Sequence, residues 1–219
     1  MKVAERFRGV IDYFLSIGEK PESELRFTDN FSLLVAVMLS AQCTDRRVNM
    51  VTPALMKAFP TAEKMADATV GQVLEYISSI SYPNSKAEHL VQMARRLVEV
   101  YGGEVPSSRE ELVTLAGVGR KTANVVMAIG FGMPAMPVDT HVQRVSVRLG
   151  LTPNAHNPLQ CERQLLRHIP DELCADMHHW LLLHGRYVCT ARAPHCNNCN
   201  IKEFCKKYGE AKKEKEKGK

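Results

Sequence analysis

Four of the seven cysteines in this 219-residue chain lie in one short segment near its C-terminal end. They are Cys189, Cys196, Cys199 and Cys205, which gives the spacing C-x6-C-x2-C-x5-C. Four thiols this close together in a reducing compartment are more typical of a metal site than of disulfide bonds. The segment is therefore predicted to fold around a metal centre. Zinc and a 4Fe-4S cluster both accept four cysteines, and the spacing alone does not separate them.

The rest of the chain has apolar residues at helical spacing, and no convincing run of alternating β-branched residues interrupts them. The first such stretch covers residues 3–15 and ends near Gly18. The fold class is therefore predicted to be all-α. Further helices are predicted at residues 31–41, 46–58, 61–67, 70–77, 85–101, 108–115, 121–131, 140–149, 161–169 and 172–183.

The strongest break in this helical pattern is the segment GFGMPAMP at residues 130–137. Two glycines and two prolines in eight positions do not continue a helix. A domain boundary is predicted in this segment, which divides the chain into two helical domains.

The net charge of +5 is unevenly distributed, since residues 186–219 hold ten basic residues against four acidic ones. A basic segment suits a polyanionic partner such as nucleic acid. The Lys-rich tail at about 209–219 is itself interpreted as a flexible, solvated end of the predicted cluster domain. The first twenty residues lack a signal-peptide pattern, and no apolar stretch has the length of a membrane span. A cytoplasmic protein is expected.

A short glycine turn joins two amphipathic helical patterns at Gly117-Val118-Gly119, followed by Arg120, Lys121 and Thr122. Glycines allow a tight turn and a close backbone approach to another molecule, because no Cβ intervenes. The following helix would direct free N–H groups at a phosphate. This segment, at about 108–131, therefore looks like a helix-hairpin-helix DNA-binding motif.

Lys121 lies in the first turn of the predicted helix, where the helix dipole disfavours a positive charge. Arg120 adds like-charge repulsion, so both neighbours favour the neutral, nucleophilic amine. Such an amine can attack a sugar carbon and form a Schiff base. The alternative is that Lys121 only contacts a phosphate.

Asp139 precedes another helical pattern, in Pro137-Val138-Asp139-Thr140-His141. Its structural interpretation is the N-cap of that helix. Its functional interpretation is a carboxylate that stabilises cationic sugar character near Lys121. The two interpretations are compatible.

Several motifs in this order resemble the endonuclease III family, and they cover nearly the whole chain apart from the Lys-rich tail. They are LSAQCTD, NSKAEHL, LAGVGRKTANVV, VDTH, HHWLLLHGRYVC and the four-cysteine loop. The resemblance implies a bifunctional DNA glycosylase that removes oxidised pyrimidines and cleaves the resulting abasic site. It also implies a 4Fe-4S cluster rather than zinc. Lys121 and Asp139 match the nucleophilic lysine and its partner aspartate of the family.

The resemblance further implies two domains with a DNA-binding cleft between them. A six-helix barrel domain maps to residues 21–133, and an iron-sulfur cluster domain maps to residues 1–20 plus 134–219. Gln42 matches the residue that fills the gap left in the DNA helix, and Arg192 lies in the basic cysteine loop. The expected partner is double-stranded DNA with a damaged pyrimidine or an abasic site, bound by a nucleoid-associated monomer.

Two positions depart from the family pattern. Ser81-Tyr82-Pro83 stands where Gly-Leu-Tyr is common, which replaces the apolar wedge residue of that loop, so the lesion preference does not follow from the resemblance. Ala193 stands where a lysine is common, which predicts a weaker grip on phosphate.

Three rival functions make different predictions from the same sequence. The related adenine mismatch glycosylases lack the hairpin lysine and have a catalytic glutamate near Gln42. A non-catalytic DNA-binding protein with a redox cluster would not need both Lys121 and Asp139. A zinc-bound module would lack the visible absorption of an iron-sulfur cluster.

Overall fold

The computed structural model describes residues 1–18 and 20–217, with Lys215 and Lys217 described by their backbone alone. Within these ranges the regular structure is entirely helical and no strand occurs, so the prediction of an all-α fold is confirmed. A π-helical segment follows α8, at Val126–Gly130. The α-helices are α1 Val3–Ser16, α2 Asn30–Ser40, α3 Asp45–Ala58, α4 Ala62–Ala66, α5 Val70–Ile77, α6 Pro83–Tyr101, α7 Arg109–Leu112, α8 Arg120–Val125, α9 Thr140–Leu149, α10 Pro158–Leu165, α11 Cys174–Tyr187 and α12 Lys206–Lys217.

The chain divides into two compact units at the proline-rich break and near residue 22. The continuous unit consists of residues 23–133, and the split unit consists of residues 1–22 together with 134–219. The sequence prediction placed the corresponding divisions at 20/21 and 133/134. The assignment of these units as barrel domain and cluster domain stays a prediction.

Helix α2 lies at the centre of the continuous unit. Every residue from Phe31 to Leu39 is buried, so the helix has no polar face. A helix that is apolar all round is stable only when other elements cover all its sides. Asp29 caps its N-terminus by accepting a hydrogen bond from the Ser32 N–H at 2.7 Å. Helix α2 is therefore a fixed support for the turn that follows it.

In the split unit, α1 packs its apolar face on the helices α9 to α11. Phe14 stacks on Trp180 with ring centroids 5.3 Å apart, and Phe7 stacks on His168 at 4.6 Å. Cys199 and Ile201 from the cysteine segment lie in the same core. The N-terminal helix and the C-terminal segment are therefore parts of one hydrophobic core.

Several helix boundaries differ from the sequence prediction. Helix α10 begins three residues before the predicted start, because Asn157 caps it by accepting from the Gln160 N–H at 2.9 Å and Pro158 occupies its first position. Proline is favoured at that position, since the N–H it lacks has no partner in the first turn. The predicted helix 121–131 changes to a π-helical segment after Val125.

The C-terminal tail is helical through Lys217, where a flexible, solvated end was expected. An ion pair of 3.7 Å joins Lys206 and Glu210, which are one turn apart on the helix. Pairs with this spacing favour helix, although each contributes only about 0.2–0.5 kcal/mol. Residue 19 of the predicted cluster domain and residues 218–219 of the tail lie outside the described residues.

Three cysteines lie outside the four-cysteine segment. Cys161 and Cys174 are buried, whereas Cys43 is only half-buried. Among the described helices, none is long and apolar enough to cross a membrane.

Candidate functional site

The glycine turn between α7 and α8 requires its first glycine. Gly117 has a φ of +74°, and a Cβ at this position would approach atoms of His89 and Met38 to 3.0 Å. Val118 is buried and donates its N–H to the Leu115 carbonyl at 3.1 Å, which fixes the turn to the core. Glycine is therefore required at position 117, because of the positive φ and because neighbouring side chains leave no room for a Cβ.

Gly119, Arg120 and Lys121 form the outer side of the same turn and are all exposed, and Thr122 behind them is half-buried. Gly119 is the N-cap of α8, and a Cβ there would meet open space. On the inner side, the buried Asn124 accepts a hydrogen bond of 2.7 Å from the Arg109 guanidinium of α7. The hairpin is thus tied together on its core side, and Lys121 lies on its exposed outer side.

Gln42 occupies the third position of a tight turn at the end of α2. Ala41 has φ −57° and ψ 114°, Gln42 has a φ of +54°, and the Cys43 N–H donates to the Ser40 carbonyl at 3.0 Å. These values define a type II turn, in which the third position usually holds glycine or asparagine. Gln42 is exposed in this unfavourable conformation.

The loop before α6 contains the second non-glycine residue with positive φ in the described chain. Tyr82 has φ 56° and ψ 51°, and its side chain is 65% exposed. Pro83 follows as the first residue of α6. A pocket of about 190 Å³ opens between the Gln42 turn, the start of α6 and the hairpin. Its lining consists of Met38, Ala41, Gln42, Tyr82, Ser85, Lys86, His89 and Gly117.

The pocket brings together two of the predicted DNA-contacting positions, Gln42 and Gly117. It also includes Lys86, which the sequence analysis did not single out as a site residue. A lysine in a helical stretch reads as a solvated side chain, so the sequence alone offered no signal for it beyond its place in the NSKAEHL motif.

In the split unit, Asp139 caps α9 as expected. One carboxylate oxygen, Oδ1, accepts from the His141 and Val142 N–H groups at 2.9 and 2.8 Å. The other, Oδ2, lies 3.2 Å from His141 Nδ1. Burial raises the pKa of Asp139, but the Val142 N–H and the hydrogen bond and charge of His141 outweigh burial and lower it overall. Asp139 is therefore ionised at neutral pH.

Two histidines of α11 lie within hydrogen-bond distance of main-chain carbonyl groups. His178 is buried with Nδ1 2.9 Å from the Pro137 carbonyl, and His179 Nδ1 lies 3.0 Å from the Ala175 carbonyl. The charge of His178 also contributes to the lowered pKa of Asp139. His178 thus influences the carboxylate from the core side.

The four clustered cysteines lie close enough to interact electrostatically. Burial raises the pKa of the Cys199 thiol, and the thiolates of Cys205, Cys189 and Cys196 raise it further. The pKa of Cys205 is raised by burial and by two of the same neighbours. All four are free thiols. Cys196 begins the 3-10 turn Cys196–Asn198 and Cys199 follows it, while Cys205 follows the 3-10 turn Lys202–Phe204. Such mutual repulsion is relieved when a cation binds the thiolates.

Two arginines of α9 hold the backbone that leads into the cysteine segment. Arg144 donates to the Gly185 carbonyl at 2.7 Å and to the Cys189 carbonyl at 3.2 Å. Arg148 donates to the Thr190 and Ala191 carbonyls at 2.7 and 2.8 Å, and its Nη1 lies 3.5 Å from Cys189 Sγ. The sequence analysis did not identify either arginine, although their spacing of four residues places them on one face of α9.

Arg192, the predicted phosphate contact of the cysteine loop, is exposed, as is the neighbouring Ala193. In the part of the chain that the structure describes, no three His, Cys, Asp or Glu side chains are arranged to hold a single metal ion. Lys121 belongs to the continuous unit, whereas Asp139 and the cysteines belong to the split unit.

The chain matches proteins of base excision repair over most of its length. Residues 35–171 match the family model described as HhH-GPD superfamily base excision DNA repair protein. Endonuclease III of Rickettsia felis is 45% identical over 91% of this chain and 93% of its own length. Endonuclease III of Escherichia coli strain K12 is 47% identical over 84% of this chain and 87% of its own length.

Solved structures give the same result. A trapped covalent intermediate of endonuclease III with DNA, in an estranged-adenine complex, is similar to this chain with a TM-score of 0.89 and 38% identity. The match covers 97% of this chain and all of that one. The chain therefore belongs to the HhH-GPD superfamily of base excision DNA repair proteins and, within it, to the endonuclease III family, whose members are DNA glycosylases with an abasic-site lyase activity.

Proposed function

We propose that this chain removes oxidised pyrimidines from double-stranded DNA and then cleaves the abasic site by β-elimination, with Lys121 as the nucleophile. The observation that carries the proposal is the exposed Lys121 directly after the Gly117–Gly119 turn, at the position of the lysine in the family motif. A relative captured as a covalent intermediate with DNA supports a covalent step.

A base inside a duplex is out of reach, so the nucleotide must leave the stack. Unstacking costs a few kcal/mol and costs least for a damaged base. Gln42 is proposed to enter the space that the nucleotide leaves, because its amide can both donate and accept hydrogen bonds to the partner base. Its exposure at the tip of a type II turn supports this role.

The amine of Lys121 then attacks C1′ of the deoxyribose as the glycosidic bond breaks. The resulting iminium makes a proton on C2′ acidic, and its removal expels the 3′ phosphate. Asp139 is proposed to stabilise the positive charge that develops on the sugar. Its lowered pKa supports the ionised form that this role requires.

The hairpin is proposed to hold the DNA backbone. The N–H groups at Gly119 and Arg120 and the hydroxyl of Thr122 are suitable donors to a phosphate, and Gly117 and Val118 shape the turn that presents them. Arg192 is proposed as a second phosphate contact, in the cysteine loop. Contacts of this kind orient the protein on the duplex without reading its sequence.

Cys189, Cys196, Cys199 and Cys205 are proposed to hold a 4Fe-4S cluster. Their electrostatic interaction and their state as free thiols fit a cationic iron centre. The ligands of a single zinc ion converge to about 2.3 Å from one atom, whereas a cluster distributes its thiolates over several irons. The cluster would serve to order the loop that carries Arg192.

The continuous unit is accordingly proposed to be the barrel domain, and the split unit to be the cluster domain. We further propose that the protein acts as a monomer at the nucleoid, on DNA that contains a damaged pyrimidine or an abasic site.

The proposal is tested with a duplex that carries one oxidised pyrimidine at a defined position. The wild-type protein is expected to release the base and to cut the strand with a β-elimination end. The Lys121→Gln variant should do neither, while Lys57→Gln, a charge-matched change on α3, should retain both activities. Release of the base without strand scission by the wild-type protein would show a monofunctional enzyme and would overturn the proposal.

A further inference from the structure

Lys86 is a buried lysine whose ammonium group donates hydrogen bonds to main-chain carbonyl oxygens. Its side chain is 9% exposed. Its Nζ donates to the Leu39 carbonyl at 2.8 Å and to the Ala41 carbonyl at 2.7 Å. Lysine is rarely buried, because removing an ammonium from water is costly unless it is paired. The position of Lys86 in the core therefore points to a specific role.

Part of that role is to cap helix α2. The last carbonyls of a helix have no partner within the helix and form the negative end of its dipole. An ammonium group at this end forms charge-assisted hydrogen bonds, which are roughly twice as strong as neutral ones. Burial lowers the pKa of Lys86, while the thiol of Cys43 raises it. Lys86 thus links the end of α2 to the first turn of α6.

The direction of the Ala41 carbonyl also decides which type of turn the chain forms at Gln42. Type I and type II turns differ by a flip of their central peptide group, which here joins Ala41 to Gln42. In a type I turn Gln42 would have an ordinary negative φ. The left-handed conformation is unfavourable for a non-glycine residue, so the observed turn needs a contact that opposes the flip. The hydrogen bond from Lys86 to the Ala41 carbonyl is such a contact.

We propose that Lys86 is the positioning residue for Gln42: by holding the Ala41 carbonyl it selects the type II turn and fixes the direction in which the Gln42 side chain leaves the backbone. This inference rests on the proposed function in one respect, namely that Gln42 enters the DNA. The fixed turn places Gln42 beside Tyr82 and Gly117 around the pocket described above. Lys86 itself does not contact DNA in this account.

The test is a double-mutant cycle on DNA binding. The duplex carries a tetrahydrofuran abasic analogue, which cannot be cleaved, so that affinity is measured without chemistry. Lys86→Met and Gln42→Ala are each expected to weaken binding about tenfold. If Lys86 acts through Gln42, the double variant should bind as weakly as Gln42→Ala alone. Additive losses, or normal binding by Lys86→Met, would overturn the inference.

Two controls separate positioning from loss of stability. Leu97→Ala removes a buried side chain from the far part of the same helix α6, and it should lower the melting temperature without changing affinity. Lys86→Leu, which also lacks a donor, serves if Lys86→Met does not fold. A crystal structure of either folded Lys86 variant should show a negative φ at Gln42, and a retained type II turn would contradict the inference.

The proposed function and the role of Lys86 are tested by different measurements, namely cleavage of lesion-containing DNA and the affinity cycle. If the wild-type protein does not cleave lesion-containing DNA, the proposed chemistry is wrong, while the affinity cycle still reports whether Lys86 acts through Gln42. If cleavage is normal and the cycle is additive, only the role of Lys86 is wrong.

Discussion

Asp139 combines a structural and a chemical role in one carboxylate. Its Oδ1 accepts the two N–H groups that begin α9, and its Oδ2 lies near the imidazole of His141. The pKa of Asp139 is lowered overall, so the stability provided by its charge is present above about pH 4 and is lost as the pH falls through the folded pKa. The two roles can be separated because asparagine caps a helix as well as aspartate does.

We therefore expect Asp139→Asn, which keeps the cap and loses only the charge, to retain more of the free energy of unfolding at neutral pH than Asp139→Ala does. Asp139→Ala should lose about 1 kcal/mol, because it removes the cap. Both variants should lose at least about tenfold in single-turnover base release, since both lack the charge. Urea unfolding and rapid quench measure the two properties. An active Asp139→Asn variant would contradict the proposed role.

Gln42 is a second residue at which stability and function should diverge. Glycine relieves the cost of positive φ but increases the entropy of the unfolded chain, so Gln42→Gly should stabilise the protein by about 0.5 kcal/mol. The same change should weaken binding to a duplex with an abasic analogue about tenfold. Thermal unfolding and fluorescence anisotropy would detect both effects. Lower stability in Gln42→Gly would mean that the turn is not strained.

The sequence predicted the site residues unevenly. Lys121, Arg120 and the two glycines form a local pattern, so neighbouring residues alone indicated a hairpin and a nucleophile. Lys86 and Arg148 act on main-chain oxygens 45 and 42 positions away along the chain. Such contacts depend on how helices pack, and residue type alone gives no sign of them.

At the scale of the element, the hairpin shows how two similar glycines differ. Gly117 has positive φ and lies against His89 and Met38, whereas Gly119 has ordinary φ and faces open space. Gly117 is therefore required for the fold of the turn. Gly119 is required only if the DNA backbone comes close to the main chain at this position. The sequence pattern G-V-G does not distinguish these two requirements.

Alanine at each position tests this difference. Gly117→Ala should reduce the free energy of unfolding by about 1–3 kcal/mol, because positive φ is costly for alanine and the space is filled. Gly119→Ala should stay within about 1 kcal/mol of the wild-type protein. Both should bind DNA more weakly, as measured by anisotropy on a lesion duplex. Unchanged affinity in Gly119→Ala would contradict close approach of DNA to this backbone.

The first and last residues of the helices were harder to predict than the presence of the helices along the chain. Helices α5 and α9 have the predicted bounds, since Thr69 and Asp139 are clear caps. The sequence pattern did not predict the π-helical segment after α8, because apolar residues continue at helical spacing through it. The helical tail was missed because its Lys/Glu content resembles that of solvated coil.

At the scale of the whole molecule, the chain consists of two helical units of different connectivity. The split unit joins the first helix to the last third of the chain through one apolar core, which includes Cys199. The sequence pattern predicted a break at residues 130–137, whereas the return of α1 to the C-terminal part was expected only from the resemblance. Long-range pairing of this kind is set by packing, which periodicity does not encode.

Two buried cysteines provide a matched test of the cluster. Cys199→Ser should abolish bound iron and the visible absorption of the purified protein, because serine is a poor iron ligand at this site. Cys174→Ser, in the same core, should retain both; burial raises the pKa of Cys174 to about 11, as expected of a thiol that stays protonated. Iron analysis and absorbance measure the outcome. A colourless wild-type protein with one bound zinc would contradict the cluster.

Lys121 is proposed to form a covalent bond to DNA. Borohydride trapping of the purified protein on a duplex with one oxidised pyrimidine, followed by mass spectrometric mapping of the adduct, tests this step directly. We expect a stable adduct on Lys121 that is absent from Lys121→Gln. An adduct on another residue, or base release with no adduct at all, would contradict it.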